Sequence, residues 1–225
     1  MAHAVHTRTC LVQIDAGNGI SIVGSLALPD RARGVVVFAH GAGSNRHSPR
    51  NRIVAAMLNT GGFATLLLDL LTPAEEQADR ATAALRFDID LLAGRLIAAR
   101  RWASSEAMLE ALPIGYFGSN TGAAAALVAA AESPAGVRAV VSRGGRPDLA
   151  GTYIGGVLAP TLLVVGGADL HVLELNRQAL LLLNRQSELD VVRHASHLFT
   201  ERGALEDVAR LSCAWFIRHL RTSDL

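Results

Sequence analysis

The sequence contains no lysine: all 21 basic residues are arginine, against 20 acidic ones, for a formal charge of +1. A P-loop is thereby excluded, because that motif needs its lysine. No global field is available to gather a nucleic acid either, and a bias in genome composition is enough to explain an arginine-only basic set. Two cysteines, Cys10 and Cys213, are too few for a disulfide framework or a zinc cluster. They read as buried apolar residues, with a single bridge between them left open. No run of about 18 apolar residues is present to span a bilayer; Gly122–Ala131 is apolar but stops after ten. Met1–Thr9 lacks the charged stretch and apolar run of a secretory signal. What is there is apolar, 50% hydrophobic and only 18% charged, which excludes disorder. The expectation is one soluble, cytoplasmic domain over residues 1–225, burying roughly 70–75% of its unfolded surface.

Short β-branched runs alternate with longer helical patterns. Leu11–Ile14 and Ile20–Leu28, joined by Asp15-Ala16-Gly17-Asn18-Gly19, read as an antiparallel hairpin. Gly34–His40, Phe63–Asp69, Ile114–Gly118, Val137–Ser142, Thr161–Gly166 and Leu189–Arg193 read as strands buried on both faces. Helical spacing covers Arg50–Asn59, Ala81–Trp102, Thr121–Glu132, Leu173–Asn184 and Ala204–Leu220. This alternation predicts the α/β class, with a mostly parallel sheet covered by helices on both faces.

Ligands of such sheets bind beyond the carboxyl ends of the strands, so the residues just after each run matter most. Gly118-Ser119-Asn120-Thr121-Gly122 lies between a predicted strand and a predicted helix, the setting of the G-x-S-x-G nucleophile elbow. Asp169 follows one later strand and His197 another, in the chain order nucleophile, acid, histidine. His40-Gly41-Ala42-Gly43 follows an early strand, where an oxyanion donor belongs. Taken alone, Asp169 reads as a helix cap; in this order it reads as an acid. His194 and His171 compete with His197 but read as rim residues, and the three do not have the carboxylate spacing of a metal site. His40 reads as a shaper of its loop.

The whole chain resembles the dienelactone hydrolase-like branch of the α/β-hydrolases. The resemblance rests on HGAGSNRHSPRNR, GYFGSNTGAAAAL, VVSRGGRPDLAG, PTLLVVGGADLHVLELN and HASHLF. It is most specific to the small hydrolases found alone or fused to phosphoribosyltransferase domains. It implies a sheet of about eight strands, hydrolysis of an ester or lactone, Asp169 as acid, His197 as base, and Ala42 and Thr121 as backbone oxyanion donors. No cofactor and no metal are expected. The expected partner is a small-molecule ester or lactone, not nucleic acid or membrane.

The elbow centre departs from the family, whose members carry serine or cysteine there: it is Asn120. Ser119 is no substitute, because the flanking glycines are symmetric about residue 120. An amide nitrogen is a poor nucleophile, yet asparagine tolerates the positive φ of such a turn. Three explanations follow: an engineered substitution, a natural loss, or a precursor deamidated to an aspartate nucleophile like that of related dehalogenases. Impaired hydrolysis is the leading expectation. The alternatives are general-base hydrolysis by His197 and Asp169 without a covalent step, and a non-catalytic binding protein using the same pocket. Arg46, Arg50 and Arg143 fall on loops at the same end of the sheet, where they would suit an anionic substrate. Asp69, Glu75 and Glu76 read as partners of nearby arginines.

Overall fold

Strand β3 (Val35–Ala39) shows why the sheet needs helices on both faces. Val35, Val37 and Ala39 enter one apolar cluster, Val36 and Phe38 another, and all five are buried. The computed structural model, which describes residues 6–220, extends this pattern across one eight-stranded sheet. The other strands are β1 (Thr7–Asp15), β2 (Ser21–Pro29), β4 (Ala64–Leu68), β5 (Ile114–Ser119), β6 (Ala139–Arg143), β7 (Thr161–Gly166) and β8 (Glu188–Val192). Their order is β1-β2-β4-β3-β5-β6-β7-β8. β1 and β2 form the antiparallel hairpin, β2 joins β4 antiparallel, and every pairing from β4 to β8 is parallel.

Helices α1 (Pro49–Thr60) and α6 (Ala204–His219) cover one face through Val54, Leu58, Val208, Trp215 and Phe216. The opposite face is covered by α3 (Ile89–Ser105), α4 (Thr121–Glu132) and α5 (Leu170–Leu182), with α2 (Pro73–Thr82) beside them. In α4, Thr121–Ala130 are all buried. Its run of alanines favours the helix and is thin enough to pack closely against both α3 and β5. Among the described residues no helix is long and apolar enough to cross a membrane.

Two expectations change. The helix expected over Ala81–Trp102 is two helices: α2 ends at Ala83, at φ 55°, and a short 3-10 turn precedes α3. The break is held by Asp79, whose Oδ1 accepts the Leu85 and Arg86 N–H groups at 2.8 and 3.1 Å. The start of α2 is a capping box, with Thr72 and Glu75 satisfying each other's backbone N–H and Pro73 in the first turn. The cysteines differ too. Both are free; Cys10 is exposed on β1 and Cys213 is half-buried.

Candidate active site

β5 enters α4 through Asn120 at φ 52°, ψ −121°, a positive-φ conformation outside the left-handed helical region and strained for any side chain. Three glycines make that turn possible. A Cβ on Gly118 would stand 2.4 Å from Ala123 Cα, and one on Gly122 would stand 2.4 Å from the His40 carbonyl oxygen. A Cβ on Gly41 would meet Asn120 Cβ at 2.9 Å. The 118–122 turn and the 40–43 loop therefore touch backbone to backbone. Because neither backbone can yield, Gly122→Ala is expected to cost about 2–3 kcal/mol. A urea midpoint equal to that of the parent chain would contradict this packing.

His197 reaches the turn from the far side of the sheet. Its loop is pinned to the end of β7: Gly167 N–H bonds Val192 O at 2.9 Å, and Ala168 N–H bonds Ala195 O at 3.0 Å. Gly166 has no room for a side chain, since a Cβ would lie 2.4 Å from Ala195 O. The result is a relay of side chains. His197 Nδ1 lies 2.7 Å from Asp169 Oδ2, and its Nε2 lies 3.1 Å from Asn120 Nδ2. The carboxylate accepts the Nδ1–H, so Nε2 presents a lone pair to the amide. Asp169 is also the helix cap that its position suggested, its Oδ1 accepting the Val172 N–H at 3.3 Å. The two roles fall on different oxygens.

The Thr121 N–H, the first donor of α4, bonds Asn120 Oδ1 at 2.8 Å. The amide side chain thus occupies the donor that the family resemblance assigns to an oxyanion. The Ala42 N–H carries no hydrogen bond among the described residues. Ala42 lies between two adjoining cavities. One, of ≈ 110 Å3, holds Asn120 and His197; the other, of ≈ 330 Å3, holds Thr121, His40 and Arg86.

The three arginines separate. Arg50 and Arg143 line the cavity with Asn120. Arg46 does not: it is paired with Asp69 and lines a different groove, between the β1–β2 hairpin and α1. Arg143 is 8% exposed, and among the described residues its only side-chain hydrogen bond is a long one, 3.4 Å, from Nη2 to Asn51 Oδ1. Its Nε and Nη1 have no hydrogen-bond partner among the described residues, and the guanidinium stands over the Phe199 ring, 5.9 Å from its centroid. Burial, reinforced by the positive charge of Arg50, pushes its pKa down to about 10. A buried cation without a counter-charge costs stability.

His40 is buried, and its Nε2 accepts the Leu70 N–H at 3.1 Å, while Nδ1 donates to Gly41 O at 3.0 Å. Burial lowers its pKa, so it stays neutral and holds the 40–43 loop. His171 and His194 are exposed and do not join the relay. Glu75 pairs with Arg95 at 2.7 Å. Among the described residues no cluster of three or more His, Cys, Asp or Glu could hold a metal. Two features escaped the sequence reading: the Oδ1 contact with Thr121, which depends on a rotamer, and the Asp79–Arg86 ion pair beside the larger cavity, which depends on the α2–α3 break.

The comparisons agree with this architecture. A dienelactone hydrolase from Anabaena variabilis has the same fold at a TM-score of 0.93 and 51% identity, over 96% of this chain and 99% of that one. Est1E from Butyrivibrio proteoclasticus shares the fold at a TM-score of 0.76 and 16% identity, over 92% of this chain and 98% of that one. Proteins of two Mycobacterium tuberculosis strains, named as phosphoribosyl transferases, are 57% identical over 209 residues. That match covers 93% of this chain but 46% of theirs, so the chain spans about half the length of these curated relatives. The model of the dienelactone hydrolase family matches residues 22–216, and the chain belongs to that family.

Proposed function

We propose that this protein is a cytoplasmic hydrolase fold for small-molecule esters or lactones bearing an anionic group, with Asn120 standing where the nucleophile belongs. The observation that carries the reading is the relay Asp169–His197–Asn120, with contacts of 2.7 and 3.1 Å. In a serine form, His197 would take the hydroxyl proton, Asp169 would hold the imidazole tautomer, and the Thr121 and Ala42 amides would bind the oxyanion. With an amide at residue 120 that covalent route is closed, and ester hydrolysis is strongly impaired. Two unpaired cysteines suit a reducing compartment.

A second reading is favoured by the intact His197–Asp169 pair. Such a pair can activate water directly, without a covalent step. Turnover that survives Asn120→Ala and is lost in His197→Ala supports this route. Turnover lost in both contradicts it.

The anionic preference is supported by Arg50 and Arg143, which bring uncompensated positive charge to the cavity. An Arg143→Met variant is expected to be at least as stable as its parent, by urea midpoint, because a buried charge without a counter-ion is gone. In the Asn120→Ser background it is also expected to lose about 10–100-fold in kcat/KM for a carboxylate-bearing aryl ester, with a neutral isostere little affected. Equal losses on both esters would contradict the anion role.

A further inference from the structure

The amide of Asn120 is held as a substrate amide would be held in a hydrolytic site. Its orientation is dictated by its partners. The Thr121 N–H can only donate and therefore takes Oδ1 at 2.8 Å. His197 Nε2, with Nδ1–H committed to Asp169, can only accept and therefore takes Nδ2 at 3.1 Å. The carbonyl oxygen thus sits on a helix-terminal N–H, where a developing oxyanion is stabilised. The nitrogen faces the group that would supply a leaving-group proton.

We propose that Asn120 is a self-processing residue, whose side-chain amide is hydrolysed in place to aspartate by solvent water under the action of His197 and Asp169. The proposal rests on the reading of 120, 169 and 197 as one hydrolytic site. Water bonds to Cγ as its proton passes to His197 Nε2, and the negative charge gathers on Oδ1 against the Thr121 N–H. The Cγ–Nδ2 bond then breaks, Nε2–H protonates the departing nitrogen, and ammonia leaves a carboxylic acid that ionises. One amide and one water become one carboxylate and one ammonium ion. The adjoining cavity of ≈ 110 Å3 has room for the water, whose share of liquid volume is about 30 Å3.

The charges around the cavity favour the product. Among the described residues Arg50 and Arg143 line it, no carboxylate does, and Arg143 keeps Nε and Nη1 without a hydrogen-bond partner. An aspartate at residue 120 supplies the missing negative charge where the amide cannot. The route differs from ordinary asparagine ageing, in which the following backbone nitrogen attacks Cγ and yields a mixture of aspartyl and isoaspartyl linkages. Here the Thr121 N–H is engaged with Oδ1, and attack by water leaves the main chain unchanged.

The test is to incubate the purified full chain near neutral pH in ordinary and in 18O-labelled water and to map the peptide containing residue 120 over days. The expected result is a progressive gain of about 1 Da in ordinary water and about 3 Da in labelled water, confined to residue 120, α-linked, and slowed ~10²-fold or more by His197→Ala. Asp169→Asn, a nearly isosteric change, is expected to slow it as well. A mass that stays at that of the amide, an isoaspartyl product, or a rate equal in the parent and both variants overturns the proposal. Failure here is distinguishable from failure of the ester-hydrolase reading. That reading is judged by whether Asn120→Ser acquires esterase turnover, which does not depend on the fate of the amide.

Discussion

Replacing Asn120 with serine raises the turnover of aryl esters and lactones by about three orders of magnitude or more. Two changes act together. A serine Oγ replaces Nδ2 opposite His197 Nε2, where 3.1 Å now separates amide and imidazole, and supplies a hydroxyl whose proton the lone pair can take. The same substitution removes Oδ1 from the Thr121 N–H, which it now engages at 2.8 Å. Freeing one oxyanion donor is by itself worth about 10²–10³ in kcat. Stability should move the other way. The substitution gives up the hydrogen bond from the Thr121 N–H to Oδ1. A loss of about 1 kcal/mol follows. A more active but slightly less stable variant is the expected signature, read by kcat/KM and by the urea midpoint. An Asn120→Ser chain with no gain across a panel of esters and lactones would sink the account of a hydrolase lacking only its nucleophile.

In that serine background, Asp169→Asn is expected to lower kcat by about 10⁴. The reason is the tautomer of His197. The carboxylate of Asp169 accepts the Nδ1–H across 2.7 Å, leaving Nε2 unprotonated and able to receive the serine proton. An asparagine there can instead donate to Nδ1, which places the imidazole proton on Nε2 and removes the base. Helix α5 should survive, because the amide oxygen can still accept the Val172 N–H that Oδ1 now takes at 3.3 Å. Near-parental stability with collapsed kcat is therefore the predicted pair of results. A loss of less than tenfold would mean that Asp169 serves only to cap the helix.

Strand–helix alternation is enough to infer the sheet and its hairpin, and the glycine spacing around Asn120 points to a candidate site at the carboxyl end of the strands. Those signals are local, since strands buried on both faces are continuous apolar runs and a tight turn demands glycine at fixed offsets. The symmetry of Gly118 and Gly122 also separated Asn120 from Ser119. The structure has residue 120 at positive φ and Ser119 buried inside β5. The break between α2 and α3 was harder to read. The Thr72–Glu75 capping box is visible in the sequence, but Ala83 is left-handed because Asp79 captures the next turn's N–H groups, a contact that periodicity does not encode. The arginines show the same limit. Arg46, Arg50 and Arg143 occupy equivalent-looking loop positions, and only the packing reveals that Asp69 neutralises the first while the last is buried with no ion-pair partner among the described residues.

The most direct test of the central claim, that residue 120 is the nucleophile position facing His197, is fluorophosphonate labelling of the Asn120→Ser variant followed by peptide mapping. The account predicts a single label on residue 120, lost when His197→Ala is added and absent from the parent chain. A label on Ser119, or no label on a folded variant, would contradict it.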